Sequence, residues 1–485
     1  MEFSSLYFLY LFLPLTLLVY FLVPGLRLKN IVLLAASLLF YAMGQPVYVL
    51  LLVGLSYANF AMARCIRPGK RNTLLLPVVV NLAVLGLFKY LDFFLGIFGI
   101  TVADGGVMLA ALRGITNGLN SIGFAFRSPT SALPLGLSFY AFQVISYVAD
   151  VYRGKVKAER SFFNLLLYLS MFPKMMQGPI VRYEQVARQL MDRRTMPRAA
   201  FEGAQRFIIG LAKKVLLADY AGKVVASLST GGGNGTFVGA WLAALMFMFQ
   251  IYFDFSGYSD MAIGLGKMFG FHFLENFNYP YISRSITEFW RRWHISLSSW
   301  FREYVYIPLG GNRKGLLKQV RNIFVVWMLT GIWHGAHWNY VLWGVYYGVL
   351  LILEKFVLKR FLDKLPSWIQ NLYTMFFVVI SWVIFKCEDL SYCLSYLKAM
   401  FGGFSAGLFN TESLYLLKNY GILLVILILG STRLPKFFGE KMEKRFGENG
   451  EVMTGARMIF YLGILLLSVA YLVDATYNPF LYFRF

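Results

Sequence analysis

The four histidines of the chain are its side chains best suited to acid–base chemistry near neutral pH. His334 and His337 lie in one short apolar stretch with the sequence GIWHGAH, residues 331–337. An ionisable side chain at membrane depth is costly and is a functional candidate by default, and imidazole accepts a hydroxyl proton readily at neutral pH. We therefore expect His334 to be a catalytic base; the structural alternative is a histidine bonded to a neighbouring helix carbonyl.

His337 and His272 show weaker sequence evidence for a catalytic role. His337 precedes Trp338 at the expected outer boundary of the membrane, and His272 is flanked by two phenylalanines, so we predict structural roles for both. His334 and His337 stand at positions i and i+3 and could hold a metal ion. No carboxylate or cysteine lies near them in sequence to complete the ligand set, so we predict no metal site.

His294 falls in segment 286–304, which has the pattern of one amphipathic helix lying in the headgroup plane. Its apolar side chains repeat at helical spacing; they are Ile286, Phe289, Trp290, Trp293, Leu297, Trp300 and Tyr304. The other face carries Thr287, Arg291, Ser298 and Arg302. Because His294 lies where the two faces meet, it points either to solvent or into a protein cavity, and it is the second candidate site residue.

Other polar positions are expected to be structural. Asp254 and Asp260 stand at the end of a predicted membrane span, where they would pair with lysines or arginines or shape a polar cavity. The chain contains no GxxxxGK[ST] loop, so we do not expect ATP hydrolysis. Cys387 and Cys393, six positions apart, are predicted to point away from each other on one helix.

Composition places these residues in a membrane protein. Hydrophobic residues make up 58% of the chain and charged residues 14%, whereas soluble proteins carry roughly 25% charged residues. The formal net charge of +22 comes from 46 Lys and Arg against 24 Asp and Glu. In a soluble protein this excess would indicate nucleic-acid binding; here the positive-inside rule explains it, and we expect no nucleic acid.

Hydropathy and charge together predict an all-α, polytopic integral membrane protein. The predicted spans are 5–24, 30–43, 47–63, 73–95, 134–152, 237–256, 367–386, 415–432 and 458–475. Basic clusters follow the first, third and fifth spans, whereas the intervening loops are nearly uncharged. This alternation predicts that the N-terminus and the C-terminus both lie outside.

Two regions break the regular alternation. Either 161–180 or 207–222 is expected to cross the membrane while the other is re-entrant, and we favour 161–180 as the re-entrant one. The apolar run 322–353 has basic residues at both ends, so it should enter the membrane and return. Each limb then has only about 13 to 16 residues, fewer than the about 20 that a span needs, which would put the bend at 331–337 inside the membrane, towards its outer face.

Several motifs resemble those of the membrane-bound O-acyltransferase family. FWRRWHISLS at 289–298 and YIPLGGN at 306–312 are similar to one family signature, and GIWHG at 331–335 with Trp338-Asn339 matches its histidine-bearing motif. The segments PLGLSF at 134–139, FPK at 172–174 with GPI at 178–180, and 254–260 are similar to the alginate O-acetyltransferase branch. The resemblance runs from the first span to the C-terminal tail.

This resemblance implies a fold of about ten or more transmembrane helices with re-entrant and interfacial helices, in a bacterial cytoplasmic (inner) membrane. His334 corresponds to the family's catalytic histidine and His294 to its second motif residue. The donor would be cytoplasmic acetyl-CoA, bound as a substrate and not as a resident cofactor. The acceptor would be an exported polysaccharide, with delivery through an extracytoplasmic esterase-like partner.

The C-terminal tail, YNPFLYFRF at 477–485, is expected on the outer side. An interfacial aromatic belt explains its composition. Because Pro479 breaks the helix, the tail could also turn back and bring the Tyr482 hydroxyl inward as an acyl relay. The tail resembles the aromatic, tyrosine-bearing C-terminal motif of related acyl-transfer systems.

One membrane acyltransferase domain is predicted for residues 1–485, with N-terminal helices at 1–160, a catalytic core at 161–366 and C-terminal helices with the tail at 367–485. Two alternatives stay open at this stage. One is D-alanyl transfer to teichoic acid from a carrier-protein thioester. The other is a transporter or lipid flippase without acyl chemistry, for which replacing His334 would change substrate flux only.

Overall fold

The computed structural model describes residues 2–100, 106–123, 126, 128–129, 131–230, 235–403, 407–447 and 451–474. These residues form helices joined by turns and loops, with no strand among them, as predicted. The α-helices are α1 Leu13–Leu22, α2 Gly25–Gly44, α3 Pro46–Arg64, α4 Arg71–Ile97, α5 Val107–Ser121, α6 Leu137–Tyr152, α7 Phe162–Ser170, α8 Phe172–Met175, α9 Tyr183–Met191, α10 Pro197–Ala212, α11 Asp219–Thr230, α12 Phe237–Met268, α13 Ile286–Arg292, α14 Ile295–Phe301, α15 Leu316–His334, α16 Trp338–Leu353, α17 Lys359–Leu362, α18 Ser367–Lys386, α19 Leu390–Met400, α20 Thr411–Gly430, α21 Leu434–Phe446 and α22 Glu451–Asp474. Wider π-helical turns occur at Phe8–Phe12, Lys213–Ala218, Arg302–Tyr306 and Glu354–Leu358.

Membrane-spanning character is confirmed by helix length and composition. Among the described residues, 8 helices are long and apolar enough to cross a bilayer. They are Gly25–Gly44, Pro46–Arg64, Arg71–Ile97, Phe237–Met268, Trp338–Leu362, Ser367–Lys386, Thr411–Gly430 and Met453–Asp474. A shorter apolar helix covers Phe8–Leu22. The fifth predicted span coincides with α6, which has 16 residues, most of them buried in protein.

The chain forms two compact units. One comprises Met1–Ala204 with Ala262–Leu274, and the other comprises Gln205–Met261 with Glu275–Phe485. These units cut the sequence at positions other than the predicted subdivisions at 160 and 366. The interpretation of residues 1–485 as one catalytic domain stays a prediction.

The two segments that compete for the re-entrant role differ in form. Residues 161–180 contain the short helices α7 and α8, which are separated at Met171, and the segment is buried from Leu165 onward. Residues 207–222 lie in an unbroken helical run made of α10, a π-helical turn and α11. A broken backbone shielded by protein is what a re-entrant segment requires, and which segment crosses the membrane stays a prediction.

The acidic residues of α12 form the expected ion pairs, but they lie inside this helix of 32 residues and not at the end of a shorter span. Asp254 forms an ion pair with Lys214 at 2.9 Å. Asp260 forms ion pairs with Arg206 at 2.8 Å and with Lys213 at 2.6 Å. Pairing reduces the cost of burying these charges, so the polar stretch continues the helix instead of ending it.

The predicted hairpin is present as α15 and α16, joined by the short stretch 335–337. The limbs approach closely at Gly331 of α15 and Gly344 of α16. A Cβ added to Gly344 would lie 2.6 Å from the carbonyl oxygen of Trp327. The prediction of 13 to 16 residues per limb was wrong for α15, which has 19 residues because the helix begins at Leu316 and includes Lys318 and Arg321. At 1.5 Å per residue α15 is about 28 Å long, but its apolar part begins only at Asn322, and the depth of the bend in the membrane stays a prediction.

The prediction of one continuous helix over 286–304 was also wrong. The segment forms α13 and α14 separated at Trp293 and His294, followed by a π-helical turn. His294 has φ 45 and ψ 55, in the left-handed region, and a right-handed helix cannot continue through that conformation. The apolar stripe is nevertheless buried as the pattern indicated, from Ile286 to Trp300.

Cys387 and Cys393 do not share a helix. Cys387 directly follows the end of α18, and Cys393 lies on α19 after an intervening turn. The turn brings the two free thiols together, and their hydrogen bond raises the pKa of Cys387 above its usual value. The prediction that they point apart was therefore wrong because a helix end lies between them.

Candidate active site

His334 is the last residue of α15 and is only 8% exposed. Aromatic rings surround it: the ring centroid of Trp343 lies 5.0 Å away, that of Phe385 5.1 Å away and that of the adjacent Trp333 4.9 Å away. Trp343 belongs to α16 and Phe385 to α18. Three helices therefore hold one imidazole in a largely apolar environment.

The backbone around His334 is packed tightly enough to require particular residues. A Cβ on Gly335 would collide with the ring of Tyr340, so a side chain at this position would displace the bend. Asn339 donates a hydrogen bond from Nδ2 to the carbonyl oxygen of Phe385 at 2.9 Å. This bond ties the start of α16 to the end of α18, and both ends contribute rings to the surroundings of His334.

His294 lies in the same aromatic region and is 1% exposed. Its ring packs edge-on against Phe255 of α12, with centroids 4.7 Å apart, and its centroid lies 6.4 Å from that of Trp333. Trp333 thus contacts both histidines, and the structure brings together two residues that lie forty positions apart in the sequence. We call His294, Trp333 and His334 the histidine cluster.

Polar contacts of the His294 ring come from the loop before α13 and from Ser296 of α14, whose Oγ lies 3.4 Å from Nδ1. Its Nδ1 lies 3.1 Å from Oδ1 of Asn276, a fully buried residue. His294 stands outside the candidate membrane spans, and burial lowers its pKa to about 3. The imidazole is therefore neutral at physiological pH.

A cavity of about 300 Å³ lies between α13, α14, α15 and α16, at the lower end of the size range of ligand pockets. Its walls include Trp290, Trp327 and Thr330, and three cations, Arg291, Arg302 and Lys355, also line it. Thr330 precedes His334 by one helical turn on α15, which is about 6 Å along the axis. An apolar cavity with several cations suits a ligand that has both an acyl or alkyl part and an anionic part.

Glu354 fixes one wall of this cavity. Its carboxylate is buried and accepts hydrogen bonds from the backbone N–H groups of Ile286 at 2.6 Å and Thr287 at 2.9 Å, and from the Thr287 hydroxyl at 2.6 Å. A carboxylate at a helix N-terminus is favourable because it meets unpaired N–H groups and the positive end of the dipole. The bonds therefore hold α13 against the π-helical turn that follows α16.

The remaining candidates fall elsewhere. His272 and His337 are both exposed, so neither is a buried histidine of the kind expected for a core position. Over the residues that the structure describes, no group of three or more His, Cys, Asp or Glu is arranged to hold a metal ion. Tyr482 lies outside the described residues, and its role as an acyl relay stays a prediction.

Sequence reasoning found both buried histidines but missed their supports. Asn276 and Glu354 are single polar residues without a motif around them, and they act on segments 18 and 68 positions away. The sequence signal for Glu354 was faint: it is an acid at the basic end of an apolar run. Asn276 carried no signal that separates it from the polar residues beside it.

These features define a class of protein: a polytopic, all-α membrane protein with a buried histidine at the end of a helical hairpin. The chain matches the membrane-bound O-acyltransferase family over residues 157–397, a range that contains the histidine cluster and the cavity. A probable alginate O-acetylase, AlgI, of Pseudomonas putida is 38% identical over 507 aligned residues, covering 100% of both chains.

More distant relatives carry two further activities in their names. The peptidoglycan O-acetyltransferase of Helicobacter pylori is 34% identical over 82% of this chain and 80% of its own length. The teichoic acid D-alanyltransferase of Bacillus subtilis is 29% identical over 52% of this chain and 66% of its own length. The chain belongs to the membrane-bound O-acyltransferase family and is an O-acyltransferase, which sets aside the transporter alternative.

Proposed function

We propose that this protein transfers acetyl groups from cytoplasmic acetyl-CoA to hydroxyl groups destined for an exported polysaccharide. The two relatives named for O-acetylation align with 82% or more of the chain, whereas the D-alanyltransferase aligns with about half. This difference favours an acetyl donor over a D-alanyl donor. The polysaccharide is alginate-like or another cell-surface glycan.

The observation that carries this proposal is that the cavity with its three cations extends to Thr330, one helical turn before the buried His334 on α15. Acetyl-CoA has an anionic nucleotide end and an apolar thioester end, which correspond to Arg291, Arg302 and Lys355 and to the aromatic walls. Thr330 leads from the cavity towards His334 along α15. The thioester carbonyl would then approach the imidazole while the phosphates stay with the cations.

The chemical step is a direct acyl transfer. His334 takes the proton of the acceptor hydroxyl as its oxygen attacks the thioester carbonyl carbon. The tetrahedral intermediate collapses by breaking the carbon–sulfur bond, and the coenzyme A thiolate leaves and receives the proton from the imidazolium. An O-acetyl ester forms, a thioester is consumed, and no metal or redox partner is needed.

The identity of the acceptor hydroxyl has three candidates: the polymer itself, a hydroxyl of an extracytoplasmic esterase-like partner, or Tyr482 as a covalent relay. The relay candidate makes a sharp prediction. Tyr482→Phe should abolish transfer to the polymer and any acetyl label on the protein without affecting folding. Full transfer by this variant would remove Tyr482 from the mechanism.

The protein would work in the bacterial cytoplasmic (inner) membrane with both termini outside. Cysteine-accessibility labelling of single cysteines placed near residue 2 and near residue 447 tests this topology in intact cells. The topology predicts that the first is labelled by an impermeant reagent and the second, in the basic loop before the last span, is protected.

The experiment that tests the function uses purified protein and acetyl-CoA carrying a labelled acetyl group. Wild type, His334→Ala and the exposed-residue control His337→Ala are compared for thioester loss and for label on protein or on added glycan. We expect His334→Ala to reduce transfer about 10²- to 10⁴-fold, the usual contribution of a general base, while His337→Ala keeps most of it. Transfer that requires a D-alanyl carrier thioester and ignores acetyl-CoA would replace the proposal with the sister activity.

A further inference from the structure

Asn276 forms an unusual polar junction beside the histidine cluster. It is fully buried in the loop between α12 and α13. Its Oδ1 receives the backbone N–H of Ser296 at 3.2 Å and the Ser296 hydroxyl at 2.9 Å, and it faces Nδ1 of His294 at 3.1 Å. Its Nδ2 donates to Oγ of Ser259 on α12 at 3.1 Å. One amide therefore joins α12, His294 and the first turn of α14.

The orientation of this amide is fixed by its partners. The backbone N–H of Ser296 can only donate, so the atom of Asn276 that faces it must be the oxygen. Rotating the amide by 180° would place an NH₂ group against that N–H, whereas the Ser259 hydroxyl can donate or accept and is compatible with either orientation. The donor at Ser296 therefore determines which side of the Asn276 amide carries the oxygen.

The fixed oxygen determines the proton position on His294. Because Oδ1 accepts and cannot donate, its 3.1 Å contact with Nδ1 is a hydrogen bond only when Nδ1 of the neutral imidazole carries the hydrogen, which leaves the lone pair on Nε2. The Ser296 hydroxyl lies farther from Nδ1, at 3.4 Å, and its own hydrogen goes to Oδ1 at 2.9 Å. Nε2 is buried and has no hydrogen-bond partner within the described parts of the chain. A buried acceptor left unpaired is costly in a folded protein, so Nε2 is the atom of His294 that is available to a hydrogen-bond donor of a bound molecule.

We propose that Asn276 is a positioning residue that holds His294 in the Nδ1–H tautomer and so presents Nε2 as a fixed hydrogen-bond acceptor to the bound substrates. This inference rests on the proposed acyl transfer, in which the groups that offer a hydrogen are the amide N–H groups of the donor's pantetheine arm and the acceptor hydroxyl. In contrast to His334, which takes and returns a proton, His294 orients a reactant through a bond that it only accepts.

The backbone of His294 supports this role. Its φ of 45 places it in the left-handed region, which costs a non-glycine residue energy and is found most often at functional sites. Asn276 also accepts Ile295 N–H at its carbonyl oxygen, at 2.9 Å. The same loop residue thus stabilises the strained conformation and sets the tautomer.

Asp260 and Arg292, two charged groups on the neighbouring elements, are ion-paired, whereas Arg291 of α13 lines the cavity. Asp260 on α12 pairs with Arg206 and Lys213, and Arg292 on α13 pairs with Glu288. The rings that pack on His294, Phe255 and Trp333, carry no charge. A carboxylate introduced at position 276 would therefore be a new charge acting directly on the imidazole.

Histidine NMR tests the inference without relying on activity. With only four histidines, protein labelled with ¹⁵N-histidine gives few signals, and the His294 signals are those missing from His294→Gln. We expect His294 to show a protonated Nδ1 and an unprotonated Nε2 between pH 5 and 8. A protonated Nε2, or a doubly protonated ring at neutral pH, would overturn the inference.

Two variants of Asn276 separate positioning from simple support. Asn276→Asp keeps an acceptor for Ser296 and for Nδ1–H, and its second oxygen can accept from the Ser259 hydroxyl, so its geometry is conserved while its charge changes. An opposite charge at this distance should raise the His294 pKa by about 1 to 3 units. Asn276→Leu removes the acceptor and should allow the Nε2–H tautomer to appear.

The outcomes are distinguishable. If Asn276 only supports the loop, Asn276→Leu should leave His294 in the wild-type tautomer, and that result would overturn the inference. Acetyl-transfer assays on the same samples address the proposed function separately. An inactive wild type with the Nδ1–H tautomer refutes the function alone, and an active wild type with the other tautomer refutes the inference alone.

Discussion

The ion-paired part of α12 and the histidine cluster both bury polar groups, but they treat them in opposite ways. Lys214 is 2% exposed and lies between Asp254 at 2.9 Å and Asp219 at 2.7 Å, so the buried charges compensate one another. In the histidine cluster, by contrast, aromatic rings surround the imidazoles, and Nε2 of His294 is left without a protein partner among the described residues. Mutual compensation is typical of a scaffold, whereas an oriented and unpaired group is available to a substrate.

Each region nevertheless depends on close backbone packing at glycines. A Cβ on Gly210 would lie 2.5 Å from the carbonyl oxygen of Gly257, near the ion pairs, just as Gly344 approaches Trp327 in the hairpin. Small residues at helix contacts let backbones approach closely in membrane proteins. The two regions therefore share their packing and differ in how their polar groups are used.

The largest expected effect on stability comes from removing the shared cation. Lys214→Met removes the cation shared by the buried Asp254 and the partly buried Asp219, and breaking a buried pair costs about 3 to 5 kcal/mol. Thermal unfolding in detergent, followed by tryptophan fluorescence, should show a marked loss. The control Lys359→Ala removes an exposed pair with Asp363, at 3.4 Å, and should cost no more than about 1 kcal/mol; equal losses in both variants would contradict the scaffold role.

Glu354→Gln should have the next largest effect. The variant loses the negative charge at the N-terminus of α13 and places an NH₂ group against N–H donors, so we expect a loss of about 2 kcal/mol, as for hydrogen bonds to a charged group. Because Thr287 and Arg291 line the cavity, the KM for acetyl-CoA should also rise. The matched control is Glu440→Gln, whose pair with Lys436 is exposed; unchanged stability and KM in Glu354→Gln would show that α13 is held by other contacts.

The pH dependence of stability should report the buried His294. The pKa of this residue falls from 6.5 to about 3 on folding, so the unfolded chain binds the proton first as the pH decreases. The stability from keeping the ring neutral is complete above pH 6.5 and is lost between pH 6.5 and 3, with a slope of about 1.4 kcal/mol per pH unit. The difference in unfolding free energy between wild type and His294→Gln should follow this slope, and a pH-independent difference would contradict the burial of a neutral imidazole.

The smallest expected effect is on the KM for the donor substrate, acetyl-CoA. Arg302→Gln removes one of three cations from the cavity, so the KM for acetyl-CoA should rise about 3- to 10-fold, the range of a partly exposed charge contact of about 1 kcal/mol. Acetyl-pantetheine lacks the charged nucleotide and serves as the internal control, since its KM should change little. Equal increases for both donors would remove Arg302 from nucleotide recognition.

The sequence predicted the elements whose signals are local. Hydropathy found the membrane helices, and basic residues at both ends of an apolar run indicated the hairpin that ends at His334. Prediction from the sequence failed where the local conformation depends on residues that are distant in the chain. The break at His294 is supported by Asn276, and the pairing of Cys387 with Cys393 depends on the turn between α18 and α19. Periodicity continues smoothly through both positions, so no pattern of apolar residues could reveal either one.

The most direct test of the central claim measures the acetyl-transfer rate per folded molecule and the unfolding free energy together, for His334→Ala and Lys214→Met. We predict that His334→Ala loses at least about 10²-fold in rate with nearly unchanged stability. Lys214→Met should lose stability while its folded fraction keeps most of the rate. A His334→Ala protein that is folded and transfers acetyl groups at the wild-type rate would contradict the assignment of the active site to the histidine cluster.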